Sequence, residues 1–366
     1  MKKIIFILIF IILFSFGAVA EDFYSEQYQN SGAEDLYDLL PETARGVIDN
    51  LEIEIQNPDW VNKITADGIF SEILGFVKTG AATPLKCGGA LLSVILLITA
   101  ANTFEGFKPF SDVASYIFTL SAGTGVLIPM FSLIESSAEA VKGISVLMDG
   151  FVPIYAGILS LGGQVATATG MSFLLLGAAG IVGSLSAFVI VPLMSCYLGV
   201  AAAGSVMPMG TTNRLGDGIK NIAMWALSLI LTLFLGLLSI QTTINKAADN
   251  LTLKTAKFMI GSFIPVAGGA LSESLGTLIS SVSLLKSTVG MFAVVGIAAT
   301  ILPVVIELLI WRVVLFALSV LSELLGVNFK TDIISAADSV LAVLIGVMLF
   351  IGAIFIISLG IIAGGF

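Results

Sequence analysis

From residue 87 onward the chain returns again and again to predominantly apolar runs. Each is long enough to cross the hydrocarbon core of a bilayer, which takes about 20 residues of helix. CGGALLSVILLITAANTF (87–104) and VASYIFTLSAGTGVLIPMFSLI (113–134) flank the short polar stretch Glu105–Asp112 and predict a membrane hairpin. MSFLLLGAAGIVGSLSAFVIVPLMSCYLGVAAAGS (171–205) is double length and predicts a turn near Gly183. NIAMWALSLILTLFLGLLSI (221–240) reads as a single span, 289–326 as another double-length stretch with Pro303 near its middle, and 336–362 as the last span. No water reaches backbone N–H and C=O groups in hydrocarbon, so only a helix or a closed barrel can satisfy them there. Runs of this length predict an all-α, polytopic helical membrane protein with about eight spans.

Composition supports that class: 57% of residues are hydrophobic and 11% charged, against roughly 25% charged in a soluble domain. The opening MKKIIFILIFIILFSFGAVA joins Lys2 and Lys3 to an apolar run and Ala18-Val19-Ala20, the pattern of a signal peptide over 1–20. An uncleaved first anchor helix is the other reading. Residues 21–83 hold thirteen carboxylates against Arg45, Lys63 and Lys78, so the acidic balance belongs to this segment. Leu36, Leu40, Val47, Ile48 and Leu51 share one helical face, as do Ile69, Ile73, Phe76 and Val77. These predict amphipathic helices at the external membrane surface, interrupted at Pro41 and Pro58. An acidic segment does not replace the counterions of a nucleic acid, which excludes that partner; the lipid bilayer is the expected one. Cys87 and Cys196 read as buried inert thiols. With no histidine, zinc, haem and imidazole acid–base chemistry lose their usual ligands, and no cofactor or metal is expected.

The stretch FVPIYAGILS (151–160) returns as FIPVAGGALS (263–272). After each copy the order is the same: a double-length apolar stretch containing Pro192 or Pro303, a polar loop at 213–220 or 328–332, and a long span. The chain is therefore divided into a first hairpin and loop (84–150), membrane repeat A (151–262) and membrane repeat B (263–366). Acidic 135–150 is expected outside and basic 244–258 inside. Three spans per unit then make the two repeats inverted.

Pro withholds an N–H and crowds the preceding turn, while Gly loosens the turn after it. Broken segments at matching places in two repeats point to a site near the bilayer midplane. Pro153, Gly157, Gln164, Pro265, Gly269 and Ser272 are the candidate broken-helix or permeation positions. Helix kinks that tune packing would leave the same trace. Glu307 and Arg312 are candidate intramembrane charges, because a charge at membrane depth costs at least about 2.5–3.5 kcal/mol. Five residues apart, they project about 140° from each other on a helix. Proton relay, assembly contact and a turn at the membrane surface are the three roles open to them. No phosphate-binding loop, nucleophile elbow or metalloprotease motif is present, and the chain does not read as an enzyme.

The order of signal peptide, acidic segment and Gly-rich polytopic domain, carrying FVPIYAGILSLGGQ (151–164) and IELLIWRVVLFALSVLSELLG (306–326), resembles the stage III sporulation protein AE family of endospore-forming bacteria. That resemblance implies a multi-pass component of a complex in the mother-cell membrane surrounding the forespore. It implies as partners the other membrane proteins of the same operon and, indirectly, a forespore membrane protein, together forming a channel or feeding apparatus. It transfers no catalytic residue. The alternative is a secondary transporter or permease that moves a small solute or ion through a site between the two repeats.

Overall fold

A computed structural model describes residues 24–103, 108–185, 191–206, 212–263, 268–326 and 332–363. The expected signal peptide lies outside the described residues, and no strand occurs among them. The elements are α1 (24–31), a 3-10 turn (Ala33–Leu36), α2 (Glu42–Asn50), α3 (Trp60–Lys63), α4 (Ala66–Gly80), α5 (Ala82–Thr103), α6 (Lys108–Leu161), α7 (Val165–Leu185), α8 (Val191–Val206), α9 (Thr212–Phe263), α10 (Gly268–Leu324) and α11 (Asp332–Ala363). Among the described residues six helical stretches are long and apolar enough to cross a membrane: Ala66–Ala100, Thr124–Leu161, Val165–Ser184, Ser228–Thr252, Ser280–Leu324 and Ile334–Ile362.

The all-helical class holds, and the helices run further than the sequence reading drew them. The stretch expected as an external loop, 135–150, lies inside α6, and the loops expected at 213–220 and 244–258 both lie inside α9. Residues such as Glu139, Ala140 and Lys142 are good helix formers, so polarity alone does not end the helix. The stretch 289–326 is one continuous helix through Pro303 rather than two. Gly183, near which a turn was expected, lies inside α7, and the residues between Leu185 and Val191 lie outside the described residues. The boundary at 150/151 falls within α6.

The bundle is built on antiparallel pairs. Against α10, α6 runs in the opposite sense: a Cβ at Gly290 would lie 3.1 Å from the Tyr155 hydroxyl, and one at Gly296 would lie 3.6 Å from Leu147. Helix α11 also opposes α10, with Asp338 at Arg312 and Gly352 at Ile301. Phe151, Tyr155, Phe292, Trp311 and Phe355 fill the centre, with Phe151 and Tyr155 stacked at 4.9 Å. In lipid such interiors are held by packing, and glycines let backbones approach.

The acidic N-terminal segment is docked on this bundle. Leu36, Leu40, Val47 and Ile48 are buried as their shared face foretold, and they pack into a compact module on α6 and α10. Pro41 is the N-cap of α2, where its missing N–H is not needed. Trp60 closes the module from below, 2% exposed. Helix α4 buries none of its residues.

Candidate functional site

The break after the repeated phrase comes later than Pro153 and Gly157, both of which are exposed inside the continuous α6. It falls at Gly162-Gly163-Gln164. Gly163 has φ +76°, its N–H donates to the Ser160 carbonyl at 3.0 Å, and the Gln164 N–H donates to the Leu159 carbonyl at 2.9 Å. This pair of bonds is the Schellman termination, which needs the left-handed conformation glycine adopts without strain.

Around that turn three distant stretches of chain meet. Helix α7 begins with unpaired N–H groups and no Ser, Thr, Asp or Asn at its N-cap position, Gln164. The missing acceptor comes from α9: the Ala166 and Thr167 N–H groups donate to the two carboxylate oxygens of Asp249 at 2.8 and 3.0 Å. Asp249 is 5% exposed, and its charge also sits at the positive end of the helix dipole. From α10, Lys286 Nζ donates to Gln164 Oε1 at 3.1 Å. One turn further along, Gln241 Nε2 donates to the Gly170 carbonyl at 2.9 Å. A Cβ at Gly170 would collide with Asn245 Nδ2 and lie 2.6 Å from Gln241 Nε2, so glycine is what lets the Gln241 amide reach the α7 backbone. The result is a polar joint that ties α6 and α7 to α9 and α10.

A second polar place lies at the other side of the docked module. A cavity of about 490 Å³ is walled by Pro41, Glu42 and Thr43 of the module, Thr79 of α4, Ser136 and Glu139 of α6, and Thr300 and Glu307 of α10. Its volume falls within the range of small-molecule sites, roughly 300–1,000 Å³. Three carboxylates and four hydroxyls line it, and no Lys or Arg does. No group of residues among those described could hold a metal ion.

The structure therefore separates the sequence candidates. Gln164 belongs to the polar joint, and Glu307 to the acidic cavity, with its Cβ 3.5 Å from where a Cβ at Gly80 would stand. Arg312 turns to another helix and forms an ion pair with Asp338 of α11, Nε to Oδ1 at 2.8 Å. The second copy of the phrase straddles the end of α9 and the start of α10. Pro265 lies outside the described residues; Gly269 and Ser272 stand in the first turns of α10, and their side chains lie outside the description. Cys196 is exposed on α8 and Cys87 half-buried, so neither thiol has the fully buried setting expected. Sequence reasoning passed over Asp249 as a loop charge and over Lys286 altogether. The signal for Lys286 was present, since it is the one charge between Glu273 and Glu307.

The profile described as Stage III sporulation protein AE matches residues 61–365. The Stage III sporulation protein AE of Bacillus subtilis (strain 168) is 26% identical over 270 residues, covering 70% of this chain and 63% of that protein. The match thus spans less than two thirds of the relative's length. No solved structure matches. With a profile match running from the end of the docked module through α11, the chain belongs to the stage III sporulation protein AE family.

Proposed function

We propose that this protein is a non-enzymatic integral membrane component of a mother-cell-to-forespore channel complex required for sporulation. Membership of a stage III sporulation family, joined to a bundle with six apolar helices of spanning length, is the observation that carries the reading. Its partners on this reading are the other membrane proteins of the stage III operon and, indirectly, a forespore membrane protein. Asp249, Gln241 and the Arg312–Asp338 pair each hold one helix of this chain to another.

A fluorescent fusion expressed at native level in sporulating cells tests the proposal. Signal in a ring or foci around the forespore supports it, with co-purification of the operon's membrane proteins as the next step. Even signal throughout vegetative membranes sinks it. The acid-lined cavity at Glu307 favours a second reading, a permease for a small cation or cationic solute. Purified protein in vesicles would then move solute without partners, and Glu307→Gln would abolish the flux.

A further inference from the structure

The N-terminal module, residues 24–64, docks on the bundle through apolar contacts. Its polar groups are satisfied mostly from within: the Tyr24 hydroxyl donates to the Ile55 carbonyl at 2.7 Å, the Tyr37 hydroxyl to Asp49 at 2.8 Å, and Arg45 Nε to the Leu40 carbonyl at 2.9 Å. Its buried residues Leu36, Ala44, Val47, Ile48, Ile53 and Ile55 join one apolar cluster with those of the bundle. Against α6 and α10 it presents a wedge, Leu39-Leu40-Pro41, seated on three glycines. A Cβ at Gly150 would collide with Leu39; at Gly296 it would stand 2.7 Å from Leu40, and at Gly143 2.7 Å from Pro41. No ion pair crosses the joint among the described residues. Among the described residues, Asn50 Nδ2 donates to Glu72 Oε1 of α4 at 3.1 Å across it.

Two features work against permanent docking. All nine carboxylates of residues 24–64 are exposed, with Arg45 and Lys63 the only bases there. Closing the joint also places Glu42 in one cavity with Glu139 and Glu307 and no Lys or Arg. Glu42 and Glu139 are exposed and Glu307 is half-buried, so docking brings like charges to one cavity with no cation among its lining. Toward α4 the module is joined by an extended link, Ile64 at ψ 116° and Thr65 at ψ 150°. Thr65 caps α4 by itself, accepting from the Gly68 N–H at 3.2 Å, so α4 does not need the module to keep its first turn.

We infer that residues 24–64 are a releasable clamp: they dock as a unit into the glycine notches of α6 and α10, complete the wall of the acidic cavity, and swing away about Ile64–Thr65 to open it. Apolar wedge and carboxylate repulsion oppose each other across the same joint, which makes a two-state element. A partner or cation that favours either state sets its position.

Thiol accessibility in the full-length protein tests this, with Cys87 and Cys196 replaced by Ser and the membranes opened so that both faces are reached. Thr300→Cys places the reporter on the α10 wall of the cavity, at a position 3% exposed when the module is docked. Leu341→Cys, 0% exposed in α11, is the reference for general loosening. Pro41→Cys with Gly143→Cys supplies a lock, since the two Cβ atoms would stand 3.8 Å apart, the mean for a disulfide at about 3.8 Å. A maleimide read peptide by peptide should modify the reporter at least about tenfold faster than the reference. Oxidising the lock should erase the difference, and reduction should restore it. Gly150→Val should speed the reporter further while the reference stays protected. A reporter as slow as the reference without the lock overturns the inference, as does a reporter that stays fast with the lock closed. Neither result depends on a role in sporulation.

Discussion

The buried carboxylate of Asp249 gives the sharpest prediction. In Asp249→Ala two backbone N–H groups at the start of α7 lose their acceptors at a site 5% exposed. Each charge-assisted bond contributes about 1.5–3 kcal/mol, an N-cap alone about 0.5–2, and the dipole up to about 2 in a buried setting. These overlap, since they describe the same contacts, and water entering the gap recovers part, so a net loss of about 3 kcal/mol is expected. For a chain of this size that is a fall in Tm of roughly 4 °C, measured by nanoscale fluorimetry on detergent-purified protein. Asp249→Asn keeps an acceptor and loses the charge, and should fall by about half as much. The second half of the prediction is rescue: Gln164→Asp supplies an acceptor at the N-cap of α7 itself, beside Lys286, and should restore most of the loss in the Asp249→Ala background. A Tm within about 1 °C of the parent for Asp249→Ala, or no rescue by Gln164→Asp, refutes the view that this carboxylate caps α7 from another helix.

Three further outcomes are expected. Asp338→Asn leaves Arg312 without its partner in a spanning stretch and should reduce the folded yield more than the double variant Arg312→Met with Asp338→Leu, because a lone charge in hydrocarbon costs more than an absent pair; equal yields would count against the pair. Gly88→Val should pry α5 from α10, since a Cβ there would stand 2.6 Å from Val314 Cγ1, whereas Gly80→Ala, at 3.5 Å from Glu307, should be tolerated; the two Tm values compared side by side decide it. Burial pushes the Tyr24 phenol up to about 12, so the module gains from neutral Tyr24 below pH 10 and loses that gain as pH rises toward 12. Protease protection of residues 24–64 should therefore weaken across that range, and less so in Tyr24→Phe.

The parts of this fold legible in the sequence are those set by local forces. Apolar runs longer than about 20 residues dictate helices in lipid whatever surrounds them, and the face shared by Leu36, Leu40, Val47 and Ile48 is periodic enough to name its own buried side. What that face packs against was not legible: the notches at Gly143, Gly150 and Gly296 lie more than 100 residues from the wedge they receive, and nothing local marks them as a pair. The same holds for Asp249, which caps a helix 82 and 83 residues earlier in the chain. Polar text was misleading for a different reason. Glu135 through Asp149 suggested a loop because charges are costly in lipid, yet an α-helix carries charge in water as readily as a loop does. Helix ends were better marked where a glycine was forced, as at Gly163 and Gly326, both with positive φ.

The two longest helices, α6 with 54 residues and α10 with 57, carry one more consequence. At 1.5 Å per residue they run for about 81 and 86 Å, while a hydrocarbon core is about 30 Å thick and even a 40° tilt takes up only about 40 Å of helix. Roughly half of each helix must therefore stand clear of the lipid. On α6 the stretch from Glu135 to Asp149 carries the charges that lipid would penalise, and it is there that the acidic module is clasped. The protein is a mast as well as an anchor: an antiparallel pair, carrying Pro129 and Pro153 on α6 and Pro303 on α10, that is long enough to hold one end tens of ångströms from the bilayer.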